Sequence, residues 1–291
     1  MSNSRRNEER MKTVPHDIAM SAMSAMSQNQ ESKPAPFSFV VPTTFVDLPS
    51  RGRHYTEGHP FHNQNQVEIR EMTAKDEDLL TSKALIKKGV VIDRFVQNIL
   101  MDKSVNAETL LIGDKNAIIV AARIAAYGSV YEGSAVCPSC GETFDNSFEL
   151  GDLEVYEGND YEDYDISKTE NNTFIIHIPK LDVDIETRLI TGKEEKRLAR
   201  MAKGKKKNNL PEAPLTDMLK LIIVSVAENR DSFLIDQLLD VLPASDSRYL
   251  RAAYAKVVPN IDMKREIVCP ECDAVNEVEV QLSADFFWPK R

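Results

Sequence analysis

Two matched stretches, Cys137-Pro-Ser-Cys140 and Cys269-Pro-Glu-Cys272, decide how this chain folds, and they use all four of its cysteines. Two residues between paired cysteines let both sulfurs reach one ion, and Zn²⁺ takes four soft donors in a tetrahedron. The spacing predicts one zinc per chain, bound by Cys137, Cys140, Cys269 and Cys272. Four protein ligands leave no open position, so we expect a structural site rather than a catalytic one. The alternative is that these are two unrelated buried pairs of cysteines.

Strand patterns flank both cysteine pairs. Ser129 to Val136 leads into the first pair, and Arg265 to Val268 leads into the second. Apolar residues alternate after each pair, which is typical of strands. We therefore expect two hairpins, each turning on a cysteine pair, with positive φ at Gly141 and at the matching Asp273. A zinc ion shared by both pairs requires the 128 residues between them to leave and return at nearly the same place.

This arrangement predicts an α+β fold with a split four-cysteine zinc ribbon and a mostly helical insertion that contains a β-hairpin. The predicted parts are a disordered tail (1–36), an N-terminal α+β domain (37–128), the split ribbon with the C-terminal tail (129–150 plus 265–291), and the inserted domain (151–264). The tail is polar and poor in aromatic residues, so it buries too little apolar area to offset chain entropy. Its Met20, Met23 and Met26 form either part of a frayed tail or a short docking helix.

Residue patterns predict helices on both sides of the ribbon and one hairpin in the insertion. In the N-terminal domain, Thr73 and Asp76 form a capping box, and the helices are Ala74 to Lys83, Val90 to Met101 and Asp114 to Tyr127. In the insertion, the hairpin runs from Thr173 to Ile190 and turns near Pro179-Lys180. The helices of the insertion are Gly192 to Lys203, Leu215 to Glu228, Ser232 to Leu242 and Asp246 to Val258, with a loop at 204–209.

Other candidate sites have simpler explanations. His54, His59 and His62 share one loop but lack acidic or cysteine partners at ligand spacing, which favours a plain polar loop. His177 lies in the middle of a predicted strand and is expected to be a sheet-face residue. The basic run Lys193–Lys207 is interrupted by acids and has no aromatic residues for base stacking, so a solvated helix end is favoured.

The C-terminal Asp285-Phe-Phe-Trp-Pro289 contains the only tryptophan of the chain. Such an apolar end either folds back on the ribbon or inserts into a neighbouring protein. We keep both alternatives open.

Composition excludes several function classes. Lys and Arg number 36 and Asp and Glu 46, so the formal net charge is −10. This balance argues against wholesale wrapping of nucleic acid, although a local basic patch is compatible with it. No run approaches the roughly 20 apolar residues of a membrane span, and Met1–Arg10 lacks the apolar core of a secretory signal. We therefore expect a protein that stays in the cytoplasm of the cell that makes it.

Catalytic motifs are missing as well. The sequence contains no Walker phosphate loop, no Gly-x-Gly-x-x-Gly, no His-Glu-x-x-His and no Gly-x-Ser-x-Gly. We expect no catalytic residues and no small-molecule substrate.

Several stretches, taken in order, resemble those of one family. They are Phe45-Val-Asp-Leu-Pro-Ser-Arg-Gly-Arg-His-Tyr55, Val67-Glu-Ile-Arg-Glu-Met-Thr-Ala-Lys-Asp-Glu-Asp-Leu-Leu80, Leu85-Ile-Lys-Lys-Gly-Val-Val-Ile-Asp93, Leu111-Ile-Gly-Asp-Lys-Asn-Ala-Ile118, Ala121-Ala-Arg-Ile-Ala-Ala-Tyr-Gly128 and Cys137-Pro-Ser-Cys-Gly141. The sequence is similar to the baseplate proteins of T4-like contractile-tailed bacteriophages, a group of baseplate hub subunits and hub assembly proteins. The similarity spans Pro42 to Leu150 and resumes at the second cysteine pair and the Phe-Phe-Trp end, whereas the insertion and the N-terminal tail match weakly.

This resemblance implies a virion or assembly component of the phage tail, with other baseplate or tail proteins as partners and no catalytic residues. Its location would be the tail baseplate of the virion, and the host cytoplasm during assembly. The partner surfaces would be the helices after Thr73, the insertion and the aromatic tail. The alternative is a zinc-ribbon adaptor that binds nucleic acid or the transcription machinery through Lys203 to Lys207, and salt-dependent DNA binding would separate the two.

Overall fold

Helices and short antiparallel strands alternate along the chain, which the computed structural model describes from residue 40 to residue 288. This mixture of helices and strands belongs to the α+β class that the sequence predicts. The strands are β1 (Thr43–Asp47), β2 (Gln66–Arg70), β3 (Val130–Val136), β4 (Thr143–Glu149), β5 (Val155–Tyr156), β6 (Ile166–Lys168), β7 (Phe174–Ile178), β8 (Val183–Thr187), β9 (Ile223–Val226), β10 (Asn260–Ile261), β11 (Lys264–Val268) and β12 (Val275–Glu279). The helices are α1 (Ala74–Leu80), α2 (Lys83–Lys88), α3 (Val91–Ile99), α4 (Ile112–Tyr127), α5 (Gly192–Lys207), α6 (Pro214–Ile222), α7 (Ser232–Val241) and α8 (Ala244–Val257).

Some predictions fall on residues that the structure does not describe. The predicted disordered tail, residues 1–36, and its Met-rich stretch lie outside the described range. Within residues 40–288, no helix combines the length and the apolar character that a membrane crossing requires.

Helix α4 forms the centre of the N-terminal part. Ile118, Ile119 and Val120 point in three different directions around it, and all three are buried. A helix with buried residues on several sides must be covered on those sides, so neighbouring elements pack around it. The helix starts at Ile112, two residues before the predicted start, and it stops at Gly128 as predicted.

A buried hydrogen-bond network ties the loop after β1 to α4. The Asp114 carboxylate accepts hydrogen bonds from the Ser50 backbone N–H at 2.9 Å, the Ser50 hydroxyl at 2.6 Å and the Tyr55 hydroxyl at 2.7 Å. The Tyr55 oxygen in turn accepts the Leu111 backbone N–H at 3.0 Å. Burial raises the pKa of Asp114, and the three hydrogen bonds oppose that rise. The polar groups of this loop are therefore satisfied inside the protein.

The helices after Thr73 differ in part from the prediction. The capping box is confirmed, because the Thr73 backbone N–H donates to Asp76 at 2.9 Å. The predicted single helix from Ala74 to Lys83 is too long: α1 ends at Leu80 and a second helix, α2, begins at Lys83. The Thr81 hydroxyl donates back to the Glu77 carbonyl at 2.9 Å, and Ser82 is extended. Serine and threonine favour helix ends over helix interiors, which explains the break.

The insertion contains a four-stranded antiparallel sheet in the order β6-β7-β8-β9. The predicted hairpin forms its centre and turns at Pro179-Lys180 as expected. The predicted helix Leu215 to Glu228 is wrong in its second half, because α6 ends at Ile222 and the chain continues as β9. The run Ile222-Ile-Val-Ser-Val226 is rich in β-branched residues, which favour a strand where a partner strand is available. Strand β8 is that partner.

The predicted loop at 204–209 is also wrong in part. Helix α5 continues to Lys207. Lys205 in this last turn forms an ion pair with Asp217 at the start of α6, with a shortest N–O distance of 2.7 Å. A cation near the C-terminus of a helix also complements the helix dipole.

The two ends of the predicted insertion lie side by side. Strand β5 pairs with β10, with Tyr156 opposite Asn260 and Val155 opposite Ile261. The chain after α8 passes so close to the start of α4 that a Cβ added at Gly113 would lie 2.0 Å from the Pro259 carbonyl oxygen. This pairing brings residues 155–156 and 260–261 together, near the two ends of the predicted insertion.

The aromatic C-terminal segment folds back onto the protein. Phe286 and Phe287 are 1% and 0% exposed. The Phe287 ring lies 4.7 Å from that of Phe95 in α3, and the Phe286 ring lies 5.3 Å from that of Tyr131 in β3. Of the two alternatives from the sequence, folding back is the one observed, and the two phenylalanines are therefore not an exposed partner surface.

The contacts from Pro42 onward join these parts into one compact unit. We retain the division into 37–128, 129–150 plus 265–291, and 151–264 as a proposal about how the unit is organised.

Candidate metal centre

Two hairpins present the cysteine pairs. In the first hairpin, β3 pairs with β4, with Val130 opposite Glu149 and Val136 opposite Thr143. In the second, β11 pairs with β12, with Lys264 opposite Glu279 and Val268 opposite Val275. Each cysteine pair fills the turn between its two strands. The prediction of two hairpins that turn on the cysteine pairs is confirmed.

The two turns have the same backbone geometry. In the first, the Cys137 N–H donates to the Glu142 carbonyl and the Gly141 N–H donates to the Cys137 carbonyl, both at 2.8 Å. In the second, the Cys269 N–H donates to the Ala274 carbonyl and the Asp273 N–H donates to the Cys269 carbonyl, both at 3.0 Å. Gly141 has φ 80° and Asp273 has φ 54°, as predicted for both positions. Glycine adopts this conformation freely, and aspartate is among the few other residues that tolerate it.

The four sulfurs converge on one point. All four lie within 4.8 Å of one another. Between the turns, Cys137 is 3.7 Å from Cys272 and Cys140 is 3.7 Å from Cys269. A tetrahedron with Zn–S bonds of about 2.3 Å has sulfurs about 3.8 Å apart, whereas a disulfide needs about 2.05 Å. The four cysteines are free thiols, and their spacing fits a single metal ion.

Backbone hydrogen bonds prepare Cys137 to act as a thiolate ligand. The N–H of Cys140, followed by that of Ser139, lowers the pKa of Cys137 to about 6, although burial opposes this. At Cys272, the Ala274 N–H lowers the pKa, but hydrogen bonding with the neighbouring cysteine side chains raises it overall. Four thiolates packed this closely repel one another, because nearby like charges disfavour the ionised form. A divalent cation would supply the missing positive charge.

Two of the four cysteines are buried, and the other two are exposed to solvent. Cys137 and Cys269 are 1% and 0% exposed, whereas Cys140 and Cys272 are exposed. The first cysteine of each turn thus faces the protein and the second faces solvent. This arrangement can hold an ion at the junction of two distant chain segments.

Two of the three loop histidines form hydrogen bonds within their own surroundings, whereas His54 Nδ1 is buried without a hydrogen-bond partner. His59 Nε2 lies 2.9 Å from the Thr109 hydroxyl, and His62 Nδ1 lies 2.7 Å from the Tyr55 carbonyl. Burial, assisted by nearby Lys168 and Arg53, lowers the pKa of His54 to about 4. These contacts favour a polar loop.

His177 lies in the middle of β7, as the sequence predicts. A hydrogen bond to Asp184 raises its pKa, and the two side chains are 2.8 Å apart. Asp184 lies directly opposite His177 on β8, so the pair is a cross-strand contact on the sheet face.

Part of the basic run packs against neighbouring elements, and the Lys196 side chain is 14% exposed. Lys196 forms ion pairs with Asp93 at 3.0 Å and Glu108 at 2.7 Å. Lys115, in α4, pairs with Asp93 at 3.0 Å and with Glu195 at 2.5 Å. This network joins α5 to the N-terminal helices, so these charges of the run stabilise the fold.

One residue near the sulfurs was missed by the sequence analysis. Asn276 is buried in β12, and its amide nitrogen lies 3.7 Å from the Cys137 sulfur. The only signal in the sequence is a polar residue at an inward position of the strand, four residues after Cys272.

The comparisons with known proteins give one match. A family model described as T4 bacteriophage base plate protein matches residues 41–288, which include the ribbon, the insertion and the buried aromatic end. No curated protein and no solved structure matches the chain significantly.

Proposed function

This chain belongs to the T4 bacteriophage base plate protein family, and from that premise we propose a non-enzymatic structural or assembly role in the hub of a contractile phage tail baseplate, with a structural zinc. The family match is the observation that carries this proposal, because it covers nearly the whole described fold. The family places the chain among phage tail components. The narrower assignment to the hub follows from the resemblance of Pro42 to Leu150 to baseplate hub subunits and hub assembly proteins.

Zinc is the metal that best suits the four sulfurs. Thiolates are soft ligands, and a tetrahedral set of four sulfurs is typical of structural zinc or of iron–sulfur sites. Two Cys-x-x-Cys turns on facing hairpins are a common structural zinc arrangement. Cys137, Cys140, Cys269 and Cys272 would occupy every coordination position, which supports a structural role.

The four-cysteine site joins chain segments that are far apart in sequence. The 128 residues between the two turns include the whole four-stranded sheet of the insertion. Closing such a loop costs chain entropy, but the cost rises slowly with length. Structural zinc binds with about 10–16 kcal/mol in peptide models, which is more than enough to offset it. A rigid connection of this kind suits a building block of a larger particle.

The surface of the second hairpin favours a protein partner. Val268 and Val275 lie directly opposite each other and are 58% and 64% exposed. Glu266 and Glu277, the next pair on the same face, are also exposed. Like charges directly opposite each other are unfavourable. Lys264 forms an ion pair with Glu277 at 2.7 Å, so one carboxylate of this face is already neutralised. The two exposed valines suit a protein partner with an apolar surface.

The alternative of a nucleic-acid or transcription adaptor rests on Lys203 to Lys207. Lys205 already pairs with Asp217, so part of this cluster is neutralised. A filter-binding assay with duplex DNA at 50 and 200 mM salt tests the alternative. Our proposal expects no specific binding, whereas tight binding that weakens steeply with salt would support the adaptor.

A phage experiment tests the proposed role. A virus that carries Cys269→Ser and Cys272→Ser together is expected to form few plaques and incomplete baseplates in electron micrographs. The exposed Ser139, in the other turn, provides the control Ser139→Ala, which should leave the baseplates intact. Normal baseplates in the double-cysteine mutant would contradict the proposed zinc-dependent role.

The location is tested by mass spectrometry of purified virions and tail intermediates. A hub subunit remains in the finished virion, whereas an assembly factor occurs only in intermediates and in the host cytoplasm. Absence of the chain from every tail fraction would overturn the proposal.

A further inference from the structure

We propose that Asn276 positions the Cys137 sulfur for metal binding by donating a side-chain N–H to it across the two hairpins. This inference rests on the structural zinc proposed above and assigns a positioning residue to that site.

The contacts of Asn276 define its role. Its side chain is 8% exposed, although most buried positions of the ribbon are apolar. The amide nitrogen donates to the Ala274 carbonyl at 2.9 Å and lies 3.7 Å from the Cys137 sulfur, while the amide oxygen is 3.9 Å from the same sulfur. A carbonyl only accepts hydrogen bonds, so the Ala274 contact identifies the nitrogen end of the amide. Its second N–H is then available to the sulfur, and a thiolate can accept it.

The two hairpins differ at the fourth residue after the second cysteine of each turn. Asn276 follows Cys272 by four residues, and Phe144 follows Cys140 by the same distance. Both are on strands that follow a cysteine turn, opposite Ile267 and Ala135 respectively. Phenylalanine offers no donor at the corresponding place. A buried polar side chain costs free energy unless its donors are hydrogen-bonded. The Ala274 carbonyl accepts one N–H of the Asn276 amide, and the Cys137 sulfur is placed to accept the other.

The contact also connects the two halves of the site. Asn276 belongs to the second hairpin, and Cys137 belongs to the first. A donor to a ligating sulfur orients that sulfur and lowers the cost of its negative charge. Loss of such outer partners typically weakens metal binding by 10–100-fold.

Zinc affinity of the full chain tests the inference. Purified Asn276→Leu, which keeps the approximate volume, is compared with wild type by competition with a chromophoric zinc chelator. Asn146, a half-buried asparagine on β4, provides the matched control Asn146→Ala. We expect roughly 10–100-fold weaker zinc binding in Asn276→Leu and unchanged binding in the control. Unchanged affinity in Asn276→Leu, with one zinc still bound, would overturn the positioning role alone.

A measurement on the wild-type chain covers the case in which the leucine variant does not fold. After loading with ¹¹³Cd, the NMR spectrum should show coupling between the metal and the side-chain amide protons of Asn276. Coupling to backbone amides of the cysteine turns without coupling to Asn276 would overturn the inference. A wild-type chain that binds neither zinc nor cadmium would instead overturn the proposed metal site itself.

Discussion

Truncation of Phe287 to alanine is predicted to destabilise the protein strongly, although only four residues follow it in the sequence. Its side chain is fully buried, and its ring lies 4.7 Å from Phe95 and 5.7 Å from Phe286. Removing a buried phenylalanine side chain costs about 3–5 kcal/mol, since transfer free energy is lost and a cavity remains. At about 2–4 °C per kcal/mol for a protein of this size, the melting temperature should fall by roughly 6–20 °C.

A matched control separates burial from residue type. Phe233, the second residue of α7, is 65% exposed, so Phe233→Ala should change the free energy of unfolding by less than about 0.5 kcal/mol. Urea unfolding of wild type and the two variants, followed by circular dichroism, gives both values. Equal, small losses for the two variants would refute the conclusion that the aromatic end is part of the core.

Two further predictions concern a glycine pair and an aspartate. Gly113→Ala should lower the melting temperature markedly because the new Cβ would lie 2.0 Å from the Pro259 carbonyl oxygen. A Cβ at Gly204 in α5 meets nothing within 4 Å, so Gly204→Ala should raise stability by about 0.5–1 kcal/mol. Thermal unfolding shifts of the same sign in both variants would contradict the close approach of Pro259 to α4. For Asp76, burial raises the pKa, but hydrogen bonds from Arg70, Thr73 and Asn98 lower it to about 2. Because the folded pKa lies below the unfolded value of about 3.8, the stabilisation is present above that value and is lost as the pH falls from about 4 to about 2. Urea midpoints of wild type and Asp76→Asn should therefore converge over this range, and parallel curves would contradict the ion pair.

The local features of the candidate metal centre follow from the sequence. The cysteine spacing predicts the two turns, and the matching places of Gly141 and Asp273 predict their positive φ. These features depend on a few neighbouring residues, so local chemistry determines them. The same holds for the capping box at Thr73 and for the end of α4 at Gly128.

Features that depend on tertiary contacts do not follow from the sequence. The run Ile222–Val226 is apolar enough for a buried helix or a buried strand, and only the neighbouring β8 decides for the strand. The aromatic end is compatible with either folding back or partner binding until Phe95 and Tyr131 are known to lie beside it. Asn276 approaches Cys137 from a position 139 residues away, which no local pattern indicates.

Metal analysis of the purified chain tests the central claim most directly. The protein is expressed and purified without chelators or added metal, and inductively coupled plasma mass spectrometry determines the metal content per chain. The four converging sulfurs predict one equivalent of zinc in the wild type and almost none after Cys137→Ser and Cys269→Ser are combined. Less than a tenth of an equivalent in the wild type, or the same zinc content in both proteins, would contradict a zinc ion bound by these four cysteines.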